Sequence, residues 1–210
     1  MFALRIPRSD PLELAKNKQT DDSTKNRLCL DAQNPYTCME SEVITLPAHQ
    51  VILDKSTGAI AHTVLDIEKA FLNMTIEETF RDWFRFEFEG QLYRFVSVPF
   101  GLKTASALQQ RLISAIIDES ALGKYVSALR DEIHIACIQE AGQSLDEAID
   151  KHISHVATII KLLNKYGLPI QTEKILLSQK QVVYNGGILE KETLRADPRK
   201  NNKLSRVGET

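Results

Sequence analysis

The stretch "VSALRDEIHIAC", Val126 to Cys137, decides how this chain is read. Apolar and small residues run into Asp131 and Glu132, and alternating residues run out again. Alternation with period two predicts a strand on each side, so the two carboxylates sit at the joint between them. A third acid, Asp66, lies near the end of "HTVLDI", a run read as a buried strand closing at Ile67. If these strands are neighbours in one sheet, Asp66, Asp131 and Glu132 converge on one point. Carboxylates crowded at neutral pH either raise their pKa values or bind a cation. An all-oxygen set favours Mg²⁺ or Mn²⁺ over zinc. The plainer alternative, a solvated Asp-Glu turn with Asp66 as a helix N-cap, stays open on the acids alone.

Around this joint the chain alternates strand and helix signals. "KNKQTDDSTKN" has the composition of an exposed loop, and "RLCLD", Arg27 to Asp31, reads as a short strand. "NPYT" is a turn, and a helix opens at Pro47 and closes near Gly58. "WFRFEFEGQLYRFVSV" alternates on both sides of Gly90 and predicts a β-hairpin. A helix over Thr104 to about Ser120 is expected to carry Leu108, Leu112, Ile113, Ile116 and Ile117 on one side. Ser144 and Glu147 form a capping box for a second long helix. Its expected apolar stripe is Leu145, Ala148, Ile149, Ile153, Val156, Ile160 and Leu163, with Gly167 as the stop. "QVVYNGGILEKETLRAD" reads as a strand, a Gly-Gly step and a hairpin. There is no internal repeat. The order implies an α+β fold with helices on one face of an antiparallel sheet.

Composition sets limits without choosing a function. The 210 residues suit one ordinary domain, and 43% apolar content is enough for a core. With 26 basic and 28 acidic residues the net charge is −2, which argues neither for nor against a nucleic-acid partner. Cys29, Cys38 and Cys137 lack metal-type spacing and read as free thiols in a reducing compartment. "MFALRIPRSDP" lacks a signal-peptide core, and no run approaches the roughly 20 apolar residues of a membrane span. The expectation is an intracellular protein, not secreted, with no membrane partner.

Five blocks then occur in a telling order: "VLDIEKAF", "FEFEGQLYRFVSVPFGLKTA", "LRDEIHI", "HISHVATIIKLLNKYGL" and "VVYNGGIL". Together they resemble the fingers and palm of reverse transcriptases from LTR retrotransposons and retroviruses. "PLELAKNKQTDDSTKNRLCLDAQ" resembles the fingers hairpin of the same enzymes, so the likeness runs from about Pro11 to Leu204. An ordered series is more specific than any single block. The resemblance implies an antiparallel palm sheet with helices on one face and a β-rich fingers portion. Fingers-like segments are 1–49 and 76–97, palm-like segments 50–75 and 98–204, and 205–210 is a tail. No thumb counterpart is expected after Thr210.

The implied activity is RNA-directed DNA polymerisation: deoxynucleotides are added to a primer 3′-hydroxyl with two Mg²⁺ ions, for which Mn²⁺ can substitute. Implied partners are an RNA or DNA template with its primer, deoxynucleoside triphosphates, and the thumb, RNase H and integrase parts of a polyprotein. By the same resemblance Asp66, Asp131 and Glu132 are catalytic metal ligands, and the Ile67 carbonyl is a main-chain ligand. Phe71 is the aromatic under the sugar, with a core aromatic as its plainer reading. Phe100 and Gly101 line the nucleotide pocket, and Arg27 contacts the incoming nucleotide. Lys16 or Lys18 supplies the fingers lysine, or is a solvated loop charge. Gly186 and Gly187 fall in a hairpin resembling the primer grip.

The chain also departs from the family pattern. The turn reads "LRDE" where the family has Tyr-X-Asp-Asp, so Leu129 replaces the tyrosine and Glu132 the second aspartate. One added methylene moves a carboxylate by about 1.3–1.5 Å, and a misplacement of about 1 Å costs on the order of 10²-fold in rate. Arg130 puts a cation beside the acids, Ser106 replaces a proline, and Gln109 takes an aromatic position. The resemblance therefore implies an impaired polymerase. The alternative is an inactive relic or domesticated module that acts by binding nucleic acid or protein.

Overall fold

The computed structural model describes Leu14–Ala15, Cys29–Leu30, residues 49–191 and Thr193–Ala196. In chain order its elements begin with β1 (Leu14–Ala15), β2 (Cys29–Leu30), α1 (His49–Ser56), β3 (Ala59–Asp66), α2 (Glu78–Arg81), β4 (Arg85–Phe88) and β5 (Gln91–Arg94). They continue with α3 (Ala105–Ser120), β6 (Val126–Leu129), β7 (Glu132–Ile138) and α4 (Leu145–Lys165). The last are β8 (Leu176–Gln179), β9 (Gln181–Tyr184), β10 (Gly187–Glu190) and β11 (Thr193–Ala196). The loop read in "KNKQTDDSTKN", the "NPYT" turn and the side chains of Cys29 and Cys38 lie outside the described residues. The chain divides into two compact units, Met1–Ile44 with Lys69–Gln109, and Thr45–Glu68 with Gln110–Thr210.

In the first unit β1 pairs antiparallel with β2, whose described residues Cys29 and Leu30 lie within the strand expected over Arg27–Asp31. The hairpin expected around Gly90 is present as β4 and β5. Its turn residues Glu89 and Gly90 have φ of 50° and 74°. Positive φ at both central positions marks a type I′ turn, whose twist matches that of the strands. In this hairpin Phe88, Leu92 and Tyr93 are exposed, and every residue of β5 is exposed. The core of the unit lies elsewhere, in Ile76, Phe84, Val98, Leu102 and Ala105.

The second unit is built on a four-stranded antiparallel sheet in the order β6-β7-β3-β8. Opposed residues of an antiparallel pair share a face, so the register sorts the side chains. Thr63, Ile135 and Cys137 point to one face, and Val64, His134 and Leu129 to the other. Helix α4 lies on the first face: His152 Nε2 pairs with Thr63 Oγ1 at 2.7 Å, and Cys137, a buried free thiol, donates to the Ala148 carbonyl. The capping box forms as expected, with Glu147 N–H donating to Ser144 Oγ at 3.2 Å and Ser144 N–H to Glu147 Oε2 at 2.8 Å. The buried stripe of α4 is Ala148, His152, Val156, Ile159 and Leu163. Leu145 and Ile153, expected inside, are 54% and 50% exposed. The hydrogen bond to Thr63 brings a histidine into the stripe and turns the helix away from those two residues. Helix α3 buries Ile113, Ile116 and Ile117, whereas Leu108 is 37% exposed.

The second face of the sheet packs on α1 and on a three-stranded sheet ordered β11-β10-β9. Ile52, Val64, Leu129, Val182, Tyr184 and Leu189 form this core. The two long-strand neighbours β7 and β3 are central, which leaves β6 as an edge. Its outward carbonyls are met by side chains: Lys55 Nζ donates to Val126 O at 2.9 Å and Gln110 Nε2 to Ala128 O at 3.1 Å.

Candidate active site at a carboxylate turn

The joint between β6 and β7 is a two-residue turn, Arg130–Asp131, closed by the opposed pair Leu129 and Glu132. Arg130 has φ of 59°, a left-handed value that favours glycine. Gln110 holds this strained residue in place: its Oε1 accepts the Arg130 N–H at 3.0 Å while its Nε2 holds Ala128 O. One amide side chain thus imitates a neighbouring strand beside the turn.

Across the sheet, Asp66 ends β3 directly opposite Glu132. The Ile67 N–H donates to the Asp131 carbonyl at 2.9 Å, so the backbones carrying Asp66 and Asp131 touch at the strand ends. Asp66 is not a helix N-cap. Its own carbonyl accepts the Gln171 N–H at 2.7 Å, and its side chain pairs with Lys174, Oδ2 to Nζ 3.1 Å. That side chain is 18% exposed, against 56% for the lysine, so the carboxylate is the better-shielded partner.

Glu132 is engaged on the other side. Its Oε2 accepts the Asn185 N–H at 2.5 Å. Asn185 and Gly186, with φ of 47° and 76°, make the Asn-Gly turn between β9 and β10. Burial pushes the neighbouring Tyr184 phenol up, with the Glu132 charge adding to the effect. Among the described residues no three His, Cys, Asp or Glu side chains are gathered as a metal-holding group. Two of the three acids expected to converge are instead paired with Lys174 and with the Asn185 amide.

At Gly187, an added Cβ would lie 2.8 Å from Leu194 Cδ1 and 3.1 Å from the Arg195 carbonyl, so the close strand approach there requires glycine. In the first unit Phe71 meets Phe100 edge-on, ring centroids 5.7 Å apart, and both precede Gly101 at φ 97°. Phe71 also packs against the Ile76–Val98 core. Arg27, Lys16 and Lys18 lie outside the described residues. Sequence reasoning missed Lys174, Gln110 and Asn185. Lys174 sits in an ordinary polar turn, and Asn185 acts through its backbone, so neither carries a signal. Gln110 follows "FGLKTASALQ" and could have been suspected from its place on the buried side of α3.

Residues 15–189 match the reverse transcriptase (RNA-dependent DNA polymerase) family. The chain belongs to this family. Similar curated proteins include the retrovirus-related Pol polyprotein from transposon gypsy of Drosophila melanogaster, 26% identical over 198 residues, 93% of this chain and 18% of the relative. The corresponding protein from transposon opus of the same organism is 25% identical over 202 residues, 96% of this chain and 19% of the relative. The chain thus spans less than a fifth of the length of these polyproteins. Among solved structures, the foamy viral protease-reverse transcriptase in complex with double-stranded DNA superposes with a TM-score of 0.75 at 15% identity, over 94% of this chain and 34% of that one. The same enzyme with an RNA/DNA hybrid gives 0.73 at 15% identity, over 90% and 24%. Reverse transcriptases as a family use divalent metals. Among the described residues of this reverse transcriptase domain, no helix is long and apolar enough to cross a membrane.

Proposed function

We propose that this reverse transcriptase domain supplies fingers (1–49 and 76–97) and palm (50–75 and 98–204) to a retrotransposon-type Pol polyprotein working inside the cell. It adds deoxynucleotides to a primer 3′-hydroxyl on an RNA or DNA template. The supporting observation is the meeting of Asp66 and Asp131 at neighbouring strand ends, joined by the Ile67 N–H on the Asp131 carbonyl at 2.9 Å. The donor set fits a hard cation: the acids are all-oxygen ligands, and Asp66 already takes a cation, the Lys174 ammonium. Asp66, Asp131 and the Ile67 carbonyl would hold Mg²⁺, or Mn²⁺ in its place. Such ions, when bound, neutralise phosphate charge and make a hydroxyl a better nucleophile.

The other residues orient and exclude. Phe71, braced by Phe100, blocks a ribose 2′-hydroxyl, and Phe100 with Gly101 lines the nucleotide pocket. Arg27, with Lys16 or Lys18, neutralises the triphosphate. Gly186 and Gly187 shape the hairpin that holds the primer, with Gly187 packed close against β11. A second reading, a palm-like module that acts by binding, is favoured by one observation: Glu132 is committed to the Asn185 amide. Primer extension on an RNA template decides between them, with Mg²⁺ and Mn²⁺ tested separately and a duplex-binding segment supplied. Extension abolished by Asp66→Asn and by Asp131→Asn supports the polymerase. Duplex binding without any extension by the unaltered chain supports the module.

A further inference from the structure

The family pattern places an aspartate at the second carboxylate of the turn, and this chain has the longer Glu132. The structure gives that extra length a use. Glu132 opens β7 directly after Asp131, and its Oε2 reaches across to accept the N–H of Asn185 at 2.5 Å. That amide belongs to the first central residue of the Asn185–Gly186 turn, whose positive φ values direct it out of the hairpin ladder. An amide in that position has no strand partner and needs an outside acceptor. An aspartate at 132 would fall short by one carbon–carbon bond, about 1.5 Å, which lengthens the contact to about 4 Å and ends it.

The contact is also well anchored on both sides. Leu129, opposite Glu132, packs with Tyr184, the residue before Asn185, in one core. The Tyr184 ring lies 5.5 Å from the His134 ring, two residues along β7 from Glu132. Apolar packing therefore aligns the turn and the hairpin broadly, and the carboxylate–amide bond fixes their tips.

We infer that Glu132 is a positioning residue, a latch that ties the Asp131 turn to the Asn185–Gly187 hairpin, and not a metal ligand. The inference rests on the polymerase reading for its consequence: the latch sets the distance between the acid that holds metal and the hairpin that holds the primer. The bond itself is independent of that reading. It predicts that the two parts move as one body, and that the Asp→Glu departure is a rewiring of the turn.

The experiment compares the full chain with Glu132→Asp, Glu132→Gln and Asp66→Asn, using amide hydrogen exchange by NMR and Mn²⁺ affinity by paramagnetic broadening. Loss of a charge-assisted hydrogen bond should speed Asn185 exchange by about 10- to 100-fold in Glu132→Asp. Glu132→Gln, which keeps an acceptor at the same reach, should retain most of the protection. Core amides of β7, such as Ile135, serve as the reference for global stability. Mn²⁺ affinity should stay within about twofold in Glu132→Gln and fall at least tenfold in Asp66→Asn, since a carboxylate ligand cannot be replaced by an amide without large loss. Unchanged Asn185 exchange in Glu132→Asp overturns the latch, as does a loss of Mn²⁺ affinity in Glu132→Gln equal to that in Asp66→Asn. Full Mn²⁺ binding by Asp66→Asn instead overturns the metal site, and leaves the exchange result to judge the latch alone.

Discussion

Mild acid should destabilise the second unit through its buried histidines. His62 and His134 are fully buried on one sheet face, Nδ1 to Nε2 3.0 Å, so one ring nitrogen donates and the other must be bare. Burial lowers His62 from 6.5 to about 4 and His134 to about 3, where the neighbouring His62 and His152 add to the effect. His152, buried against Thr63, is lowered to about 4, again chiefly by burial. On that face the Tyr184 ring meets His134, with its phenol kept neutral by burial; Glu132, two residues along β7, is committed to the Asn185 N–H, and His152 lies on the opposite face beside Thr63. The folded pKa values lie below the unfolded one, so the unfolded chain takes up protons first. The stability held by neutral histidines is complete above pH 6.5 and is lost as pH falls towards 4. A single histidine shifted from 6.5 to 4 loses about 2 kcal/mol by pH 5 and about 3 kcal/mol in full. That is a large fraction of the roughly 5–15 kcal/mol of an ordinary domain. Urea unfolding at pH 7, 6 and 5 measures it, with imidazole resonances followed by NMR. A midpoint unchanged between pH 7 and 5, or imidazoles titrating near 6.5 in the folded chain, would refute the reasoning.

Three further outcomes follow from the same geometry. Leu129→Tyr, which restores the family residue, should destabilise the chain by about 1–3 kcal/mol, because Leu129 is buried against Tyr184 and has no room to grow; chemical denaturation reads this, and a neutral result would mean that the ring turns out of the core. Gln109 is 3% exposed, and its Nε2 finds no partner among the described residues; Gln109→Leu should therefore raise stability by about 1 kcal/mol or more, seen as a higher unfolding midpoint. Lys174→Gln removes the ammonium that competes for Asp66 and should tighten Mn²⁺ binding by about two- to fivefold at low salt, with titration calorimetry as the check.

Legibility in the sequence followed the physics of each element. Strongly periodic segments were readable: β3, the β6–β7 hairpin, the capped helix α4 and the β4–β5 turn all occur where patterning places them. Failures came where a tertiary contact overrode hydrophobicity. His152 entered the buried stripe of α4 through Thr63, and Leu145 and Ile153 were left exposed. At the candidate site, the neighbouring strands that carry Asp66 and lead from Asp131 were legible, because strand ends and a polar joint leave a local mark. What each carboxylate touches was not. The partner of Asp66 is 108 residues away in sequence, and the partner of Glu132 is a backbone N–H that any residue could have supplied.

The covered margin of β6 has a consequence for how the chain comes together. Lys55 and Gln110 stand on two separate helices, α1 and α3, that both precede the strand in sequence, and each spends its head group on a β6 carbonyl. A hydrogen-bonding margin closed by side chains cannot recruit a stray strand. Until both helices have docked, however, the margin is open, and Val126 to Leu129 is a short, uncharged, apolar-rich template. The interval between sheet formation and helix docking is then the moment at which copies of this chain would stick together. Shortening Lys55 would lengthen that interval without touching the carboxylate turn, whereas shortening Gln110 would also release Arg130.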